Sequence, residues 1–124
     1  MGQLTTLLDT SVLIGAQDYV EAAEDGSWAV SVVTIGELYA GVLLANRDTA
    51  QRTRLARLAD VLAVASVIAI DRAVAVAFGD LRMTSRRGAS NDLWIAATAL
   101  ARDLRLVTMD ERQAALSLVQ TTLV

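Results

Sequence analysis

Four acidic residues stand where apolar, strand-like runs give way to helices or one turn inside a helix. They are Asp9 in LLDTSVLI, Glu37 in VVTIGELYAGV, Asp92 in SNDLWIAATAL and Asp110 in LVTMDERQ. The rest of the chain offers little other chemistry. It contains no His, Cys or Lys, which excludes Ser/His/Asp and Cys/His nucleophile systems, thiolate or imidazole zinc sites, Schiff bases and a P-loop lysine. Every basic side chain is an Arg, which does not release its proton in a protein. A neutral-pH base must therefore be a carboxylate, or a water deprotonated by a metal. If the chain is an enzyme, carboxylates run it.

The elements that must position these acids read as alternating β and α. Leu4 to Leu8 is a strand, Thr10 to Gln17 a helix, and Trp28 to Val32 a second strand after the polar EDGS turn. From Thr34, the residues Ile35, Leu38, Tyr39, Val42 and Leu43 follow helical spacing. Asp48 and Gln51 resemble a capping box ahead of a helix with an apolar face of Leu55, Leu58, Ala59 and Leu62. Val67 to Ile70 is a strand closed by Asp71, the expected N-cap of a helix burying Val74, Ala77, Phe78 and Leu81. SRRGAS is a turn, and the helix from Asn91 is apolar nearly all round, so it belongs at the centre of the fold, with Trp94 in the core. Arg105 to Thr108, Glu111 to Leu118 and Val119 to Val124 complete the pattern as strand, helix and strand. Such alternation implies an α/β fold with a mostly parallel sheet covered on both faces.

At 124 residues and 54% hydrophobic the chain fits one domain, 1–124, with a real core. No stretch approaches the ~18 uninterrupted apolar residues of a membrane helix. Asp9 interrupts the first apolar run before a secretory h-region is complete, and the lack of cysteine suits a reducing cytoplasm. A net charge of −3 argues against a protein that coats nucleic acid. Two arginine clusters, Arg52/Arg54/Arg57 and Arg82/Arg86/Arg87, are either phosphate-facing patches or solvated helix faces.

In an open α/β sheet, ligands bind at the carboxyl ends of the strands. Asp9 and Asp110 sit at such points, Asp92 at a helix start and Glu37 one turn into its helix, so a parallel sheet brings all four to one end. Glu37 lies off the apolar stripe of its helix, among Gly36, Ala40 and Gly41, where small neighbours let another segment come close. A carboxylate at such a contact needs a positive partner, which either an arginine or a metal could provide. Carboxylates gathered in one pocket raise one another's pKa, and a divalent cation removes that penalty while activating water. Oxygen-only ligands select Mg²⁺ or Mn²⁺ over zinc. The simpler reading of an Asp at a helix start is a cap. That reading holds for Asp48 and Asp71 and applies to Asp92 taken alone. Asp9 differs, because the Thr-Ser pair after it can already cap. Thr108 reads most simply as a strand residue.

LLDTSVLI, VVTIGELYAGV, NDLWIAATAL and LVTMDERQAAL, in this order and spacing, resemble the four signature segments of PIN domains, in particular the VapC toxin ribonucleases of bacterial VapBC toxin–antitoxin pairs. The resemblance runs from Leu7 to Leu116. It implies a three-layer α/β/α domain in which Asp9 and Asp92 hold Mg²⁺ or Mn²⁺, Glu37 and Asp110 support them, and Ser11 or Thr108 contributes a hydroxyl. It further implies an endoribonuclease acting on structured RNA such as tRNA or rRNA, a homodimer, and a VapB-type antitoxin whose tail occupies the active site. Arg82, Arg86 or Arg87 would then position the RNA backbone. The chain departs from its relatives in the short GASN link before Asp92 and in having no proline, which would reshape the substrate rim. A phosphoryl-accepting receiver domain needs a Lys that is absent, and a haloacid-dehalogenase-like phosphatase needs a second Asp where Ser11 stands. The remaining rival is a PIN-like domain that only binds.

Overall fold

The computed structural model describes residues 3–16 and 27–124. Gln17, the acid-rich stretch 18–25 and most of the EDGS turn lie outside the described residues. The elements are β1 (Thr6–Leu8), α1 (Thr10–Gly15), β2 (Trp28–Ser31), α2 (Val32–Leu43), α3 (Asp48–Val64), β3 (Ser66–Ile68), α4 (Arg72–Thr84), α5 (Ser90–Ala101), β4 (Arg105–Thr108), α6 (Glu111–Ala114) and β5 (Thr121–Leu123). The strands form one sheet in the order β3-β2-β1-β4-β5, and all four pairings are parallel.

Successive strand residues point to opposite faces, and the core divides accordingly. Leu7, Ala29 and Leu106 pack with Val74, Ala77 and Leu81 of α4 and with Leu93, Ile95 and Ala96 of α5. Their neighbours Leu8, Val30 and Val107 pack with Val12 and Leu13 of α1, Leu38 and Val42 of α2, and Leu58 and Val61 of α3. The result is the expected three-layer α/β/α arrangement. As its apolar run implies, α5 is central: Leu93 and the continuous run from Ile95 to Ala99 are buried. Trp94 packs against the core and stacks on Phe78, with ring centroids 3.9 Å apart. No helix of the described residues is long and apolar enough to cross a membrane.

Several local expectations give way to tertiary packing. Arg47, not Asp48, is the N-cap of α3, and it makes no side-chain cap bond. Gln51 forms no capping box either, because its Nε2 donates to the carbonyl of Val42 at the end of α2. Leu55 and Leu62 are half exposed, and α3 buries Leu58 and Val61 instead. On α2, Tyr39 and Leu43 are exposed, and the buried line is Thr34, Leu38 and Val42 at i, i+4 and i+8. The last helix ends at Ala114, whose carbonyl accepts a bond from Thr121 Oγ1 at 2.7 Å in the final strand.

Candidate active site

Because the sheet is wholly parallel, β1 and β4 deliver their carboxyl ends to the same edge, and the backbone N–H of Asp9 donates to the Val107 carbonyl there at 2.9 Å. Asp9 follows β1 in an extended conformation and is itself the N-cap of α1, so the Thr-Ser pair after it does not cap the helix. Its Oδ2 accepts from the Ser11 N–H at 3.2 Å and the Ser11 hydroxyl at 2.6 Å, and lies 3.2 Å from Thr108 Oγ1. The residue is only 4% exposed. Among the described residues, its Oδ1 is the one buried side-chain oxygen or nitrogen without a hydrogen-bond partner. An unsatisfied buried acceptor costs about 1–3 kcal/mol, and more when charged.

The hydroxyls around Asp9 form a small network. Thr108, fully buried at the end of β4, accepts from the Asp110 N–H at 3.0 Å and lies 2.8 Å from Gln113 Oε1. Ser11 Oγ in turn accepts from the Met109 N–H at 3.0 Å. Asp110 is the N-cap of α6, accepting from the Arg112 N–H at 2.9 Å. On α2, Glu37 Oε1 lies 2.7 Å from Thr10 Oγ1, which also stands 3.0 Å from Thr34 Oγ1. A threonine hydroxyl has one proton, and the shorter contact to the carboxylate takes it.

Asp92 is the third residue of α5, and no side chain caps that helix. Burial, first, and then the fields of Asp9, Asp110 and Glu37 push its carboxyl above the ordinary carboxylate value. Asp9, Asp110 and Glu37 therefore all lie within electrostatic reach of Asp92. Among the described residues, no three acidic side chains are gathered tightly enough to hold a metal ion between them. What the four share is Coulomb reach, which is longer than ligation distance. The helix-cap reading of Asp92 falls, whereas that of Asp71 holds: Asp71 accepts from the Val74 N–H at 3.0 Å and pairs with Arg102. The close approach expected among Gly36, Ala40 and Gly41 occurs at Gly41, where a Cβ would lie 4.0 Å from Arg54 Nη1, and not at Gly36, where it would meet nothing within 4 Å.

The arginines divide in an unexpected way. Arg82 is committed to the turn before α5: Nη1 donates to the Gly88 carbonyl at 2.9 Å, Nη2 lies 3.2 Å from Ser90 Oγ, and the guanidinium sits 5.6 Å from the Phe78 ring centre. Arg86 and Arg87 are exposed on that turn. The other cluster holds Arg54 and Arg57, which share a groove of about 310 Å³ with Glu37, Leu13, Ile14 and Leu38, and Arg54 donates to the Gly41 carbonyl at 2.7 Å. Of the residues that the sequence did not single out, Thr10, Thr34 and Gln113 are built into the site. None carries a spacing signal, because a buried Thr or Gln reads as an ordinary helix residue until its partner is known.

The chain resembles known proteins along nearly its whole length. The PIN domain family model matches residues 6–118. Ribonuclease VapC4 of Mycobacterium tuberculosis (strain ATCC 25618 / H37Rv) is 39% identical over 122 residues, covering 89% of each chain. Ribonuclease VapC5 of the same organism is 38% identical over 117 residues, covering 89% of this chain and 86% of that one. The crystal structure of VapBC-5, a member of the VapBC family of toxin–antitoxin systems from Mycobacterium tuberculosis, matches with a TM-score of 0.85 at 37% identity, over 98% of this chain and 99% of that one. With four acids brought to one end of a parallel sheet and this likeness across the chain, the protein belongs to the PIN-domain family, in its VapC ribonuclease branch.

Proposed function

We propose that the protein is a metal-dependent endoribonuclease toxin that hydrolyses phosphodiester bonds in structured RNA, either tRNA or ribosomal RNA. Asp9 and Asp92 would hold Mg²⁺ or Mn²⁺, with Glu37 and Asp110 in support. The observation that carries the reading is Asp9 Oδ1, buried and without a partner among acids that raise the carboxyl of Asp92. A cation relieves both costs, and an all-oxygen donor set suits a hard divalent ion. Such an ion supplies an acidified water and offsets charge on the phosphate.

The chain's own residues prepare the rest. Ser11 holds Asp9 through Oδ2, with Thr108 Oγ1 beside the same oxygen, which leaves Oδ1 for the ion. Thr10 holds Glu37 by Oε1, making Glu37 the group that orients the attacking water and takes its proton. As water adds to phosphorus, the bond to the leaving oxygen breaks and that oxygen is protonated from solvent. An RNA strand approaching four acids on a chain of net charge −3 needs positive guides. Arg54 and Arg57 beside Glu37 serve this role, with Arg86 and Arg87 on the far turn.

A VapB-type antitoxin silences the enzyme by covering the groove beside Glu37. Exposed Ile14, which lines it beside buried Leu13 and Leu38, supports this. Exposed Val76 and Met83, beside the open groove along α4, favour a homodimer. On this reading the protein works in the cytoplasm with its RNA.

The test is cleavage of total bacterial RNA by purified, antitoxin-free protein with Mg²⁺ or Mn²⁺, with EDTA, and with Asp9→Asn. Discrete fragments that disappear with EDTA and in the variant are expected. Intact RNA in every lane, with the protein folded, would leave a domain that only binds.

A further inference from the structure

Gln113 is 2% exposed in α6, and both ends of its amide are used. Nε2 donates to the Asp92 carbonyl at 3.1 Å, and Oε1 lies 2.8 Å from Thr108 Oγ1. A carbonyl oxygen can only accept, so the amide nitrogen must face Asp92 and the amide oxygen must face Thr108. The oxygen also only accepts, so the single hydroxyl proton of Thr108 is drawn toward Gln113. Two other groups meet the same hydroxyl: the Asp110 N–H, which donates to it at 3.0 Å, and Asp9 Oδ2, 3.2 Å away and a rival for the proton. The contact to Gln113, at 2.8 Å, is the shorter of the two.

We infer that Gln113 is a positioning residue for the carboxylate centre. It turns the Thr108 proton away from Asp9 and ties the first turn of α5, and so Asp92, to the loop that carries Asp110. With Gln113 in place, Asp9 keeps its negative charge unspent on Thr108, and Thr108 presents a lone pair toward the acids. Without it, the Thr108 hydroxyl swings to Asp9 Oδ2, adds to the two bonds that Ser11 already makes there and draws negative charge away from Oδ1. The linkage between α5 and α6 loosens at the same time. Outer residues that orient ligands in this way typically change metal affinity by about 10–100-fold when replaced. The inference rests on reading the four acids as a catalytic, cation-binding centre.

Its test is a double-mutant cycle of Gln113→Met with Thr108→Val, read by calorimetric titration with Mn²⁺ and by RNA cleavage, with thermal melts to confirm folding. Gln113→Met should weaken Mn²⁺ binding about tenfold in the wild-type background and distinctly less in Thr108→Val, because its main route of action is already gone. Thr108→Ser, which keeps a hydroxyl, should retain the dependence on Gln113. Equal losses in the Thr and Val backgrounds would reduce Gln113 to a packing residue and overturn the inference. Should Gln113→Met not fold, the pair at Thr108 decides: Ser near wild type with Val about tenfold weaker supports the hydroxyl's role, and equal loss overturns it. Wild-type protein that binds Mn²⁺ and cleaves RNA while Gln113→Met matches it sinks the inference alone. A wild type that does neither sinks the catalytic reading first, and the inference with it.

Discussion

Asp92 sets folding against chemistry within one side chain. Burial and three neighbouring acids hold its carboxyl above the ordinary range, so the native state binds that proton more tightly than the unfolded chain does. The stability this gives is fully present below the unfolded pKa and is lost as pH rises through the folded value, leaving charged Asp92 as a cost at neutral pH. In EDTA at pH 7, Asp92→Asn should therefore raise Tm by about 1–3 °C, a modest figure because solvent screens a half-buried group. The difference should vanish in acid, where both forms are neutral. Cleavage by the same variant should fall at least ~100-fold. A variant that is destabilised at pH 7, or that still cleaves, would show that Asp92 serves the fold and not the reaction. The acids themselves were legible from residue type and spacing, because a carboxylate that ends an apolar run is costly there unless it has a partner to hold. Gln113 and Thr10 were not, because their importance lies in which atoms they meet across 21 and 27 residues of sequence.

Among the secondary-structure elements, caps and buried faces decide which acids are structural. Asp71 accepts from the Val74 N–H, and that bond, more than the nearby Arg102, holds its carboxyl below the ordinary range. A depressed pKa gives stability that is present above the unfolded value and lost as pH falls through the folded one. Asp71→Asn should accordingly lower Tm at pH 7, with the gap closing in acid and cleavage per folded molecule unchanged; a loss of activity with Tm intact would reverse the roles of cap and ligand. Leu81 on the same helix is fully buried, and Leu81→Ala should cost about 2–5 kcal/mol in chemical denaturation. The sequence announced α4 through the Asp71 cap and the spacing of Val74, Ala77 and Leu81, and it announced α5 through unbroken apolarity. It misread α3, where Gln51 had a capping pattern at hand and instead bonds to the Val42 carbonyl of the neighbouring helix. It misread α2 in part, because Tyr39 and Leu43 keep helical spacing yet lie beyond the edge of the packed layer. Propensity and period name the element, but only the neighbouring elements decide which side is covered.

Over the whole molecule, an acidic chain of net charge −3 must bring a polyanion to its most acidic spot. The fold places Arg54 and Arg57 in the groove with Glu37, Arg54 held by its bond to the Gly41 carbonyl, and sets Arg82 against the turn before α5. Replacing Arg54 and Arg57 together with Gln should weaken RNA binding across sequences and lower the salt slope of log K by about one per arginine, with Mn²⁺ affinity near wild type. An unchanged slope would move the RNA path to the other arginines. Everything proposed for catalysis depends on Asp9 and Asp92 sharing one divalent cation, with Asp110 and Glu37 within electrostatic reach of Asp92. Calorimetric titration of Mn²⁺ into the wild-type protein, Asp9→Asn and Asp92→Asn, all shown to be folded, addresses that centre without any RNA. A shared centre requires saturable binding by the wild type and at least ~10-fold weaker binding by both variants. Binding of equal strength in all three, or none in the wild type, would contradict it.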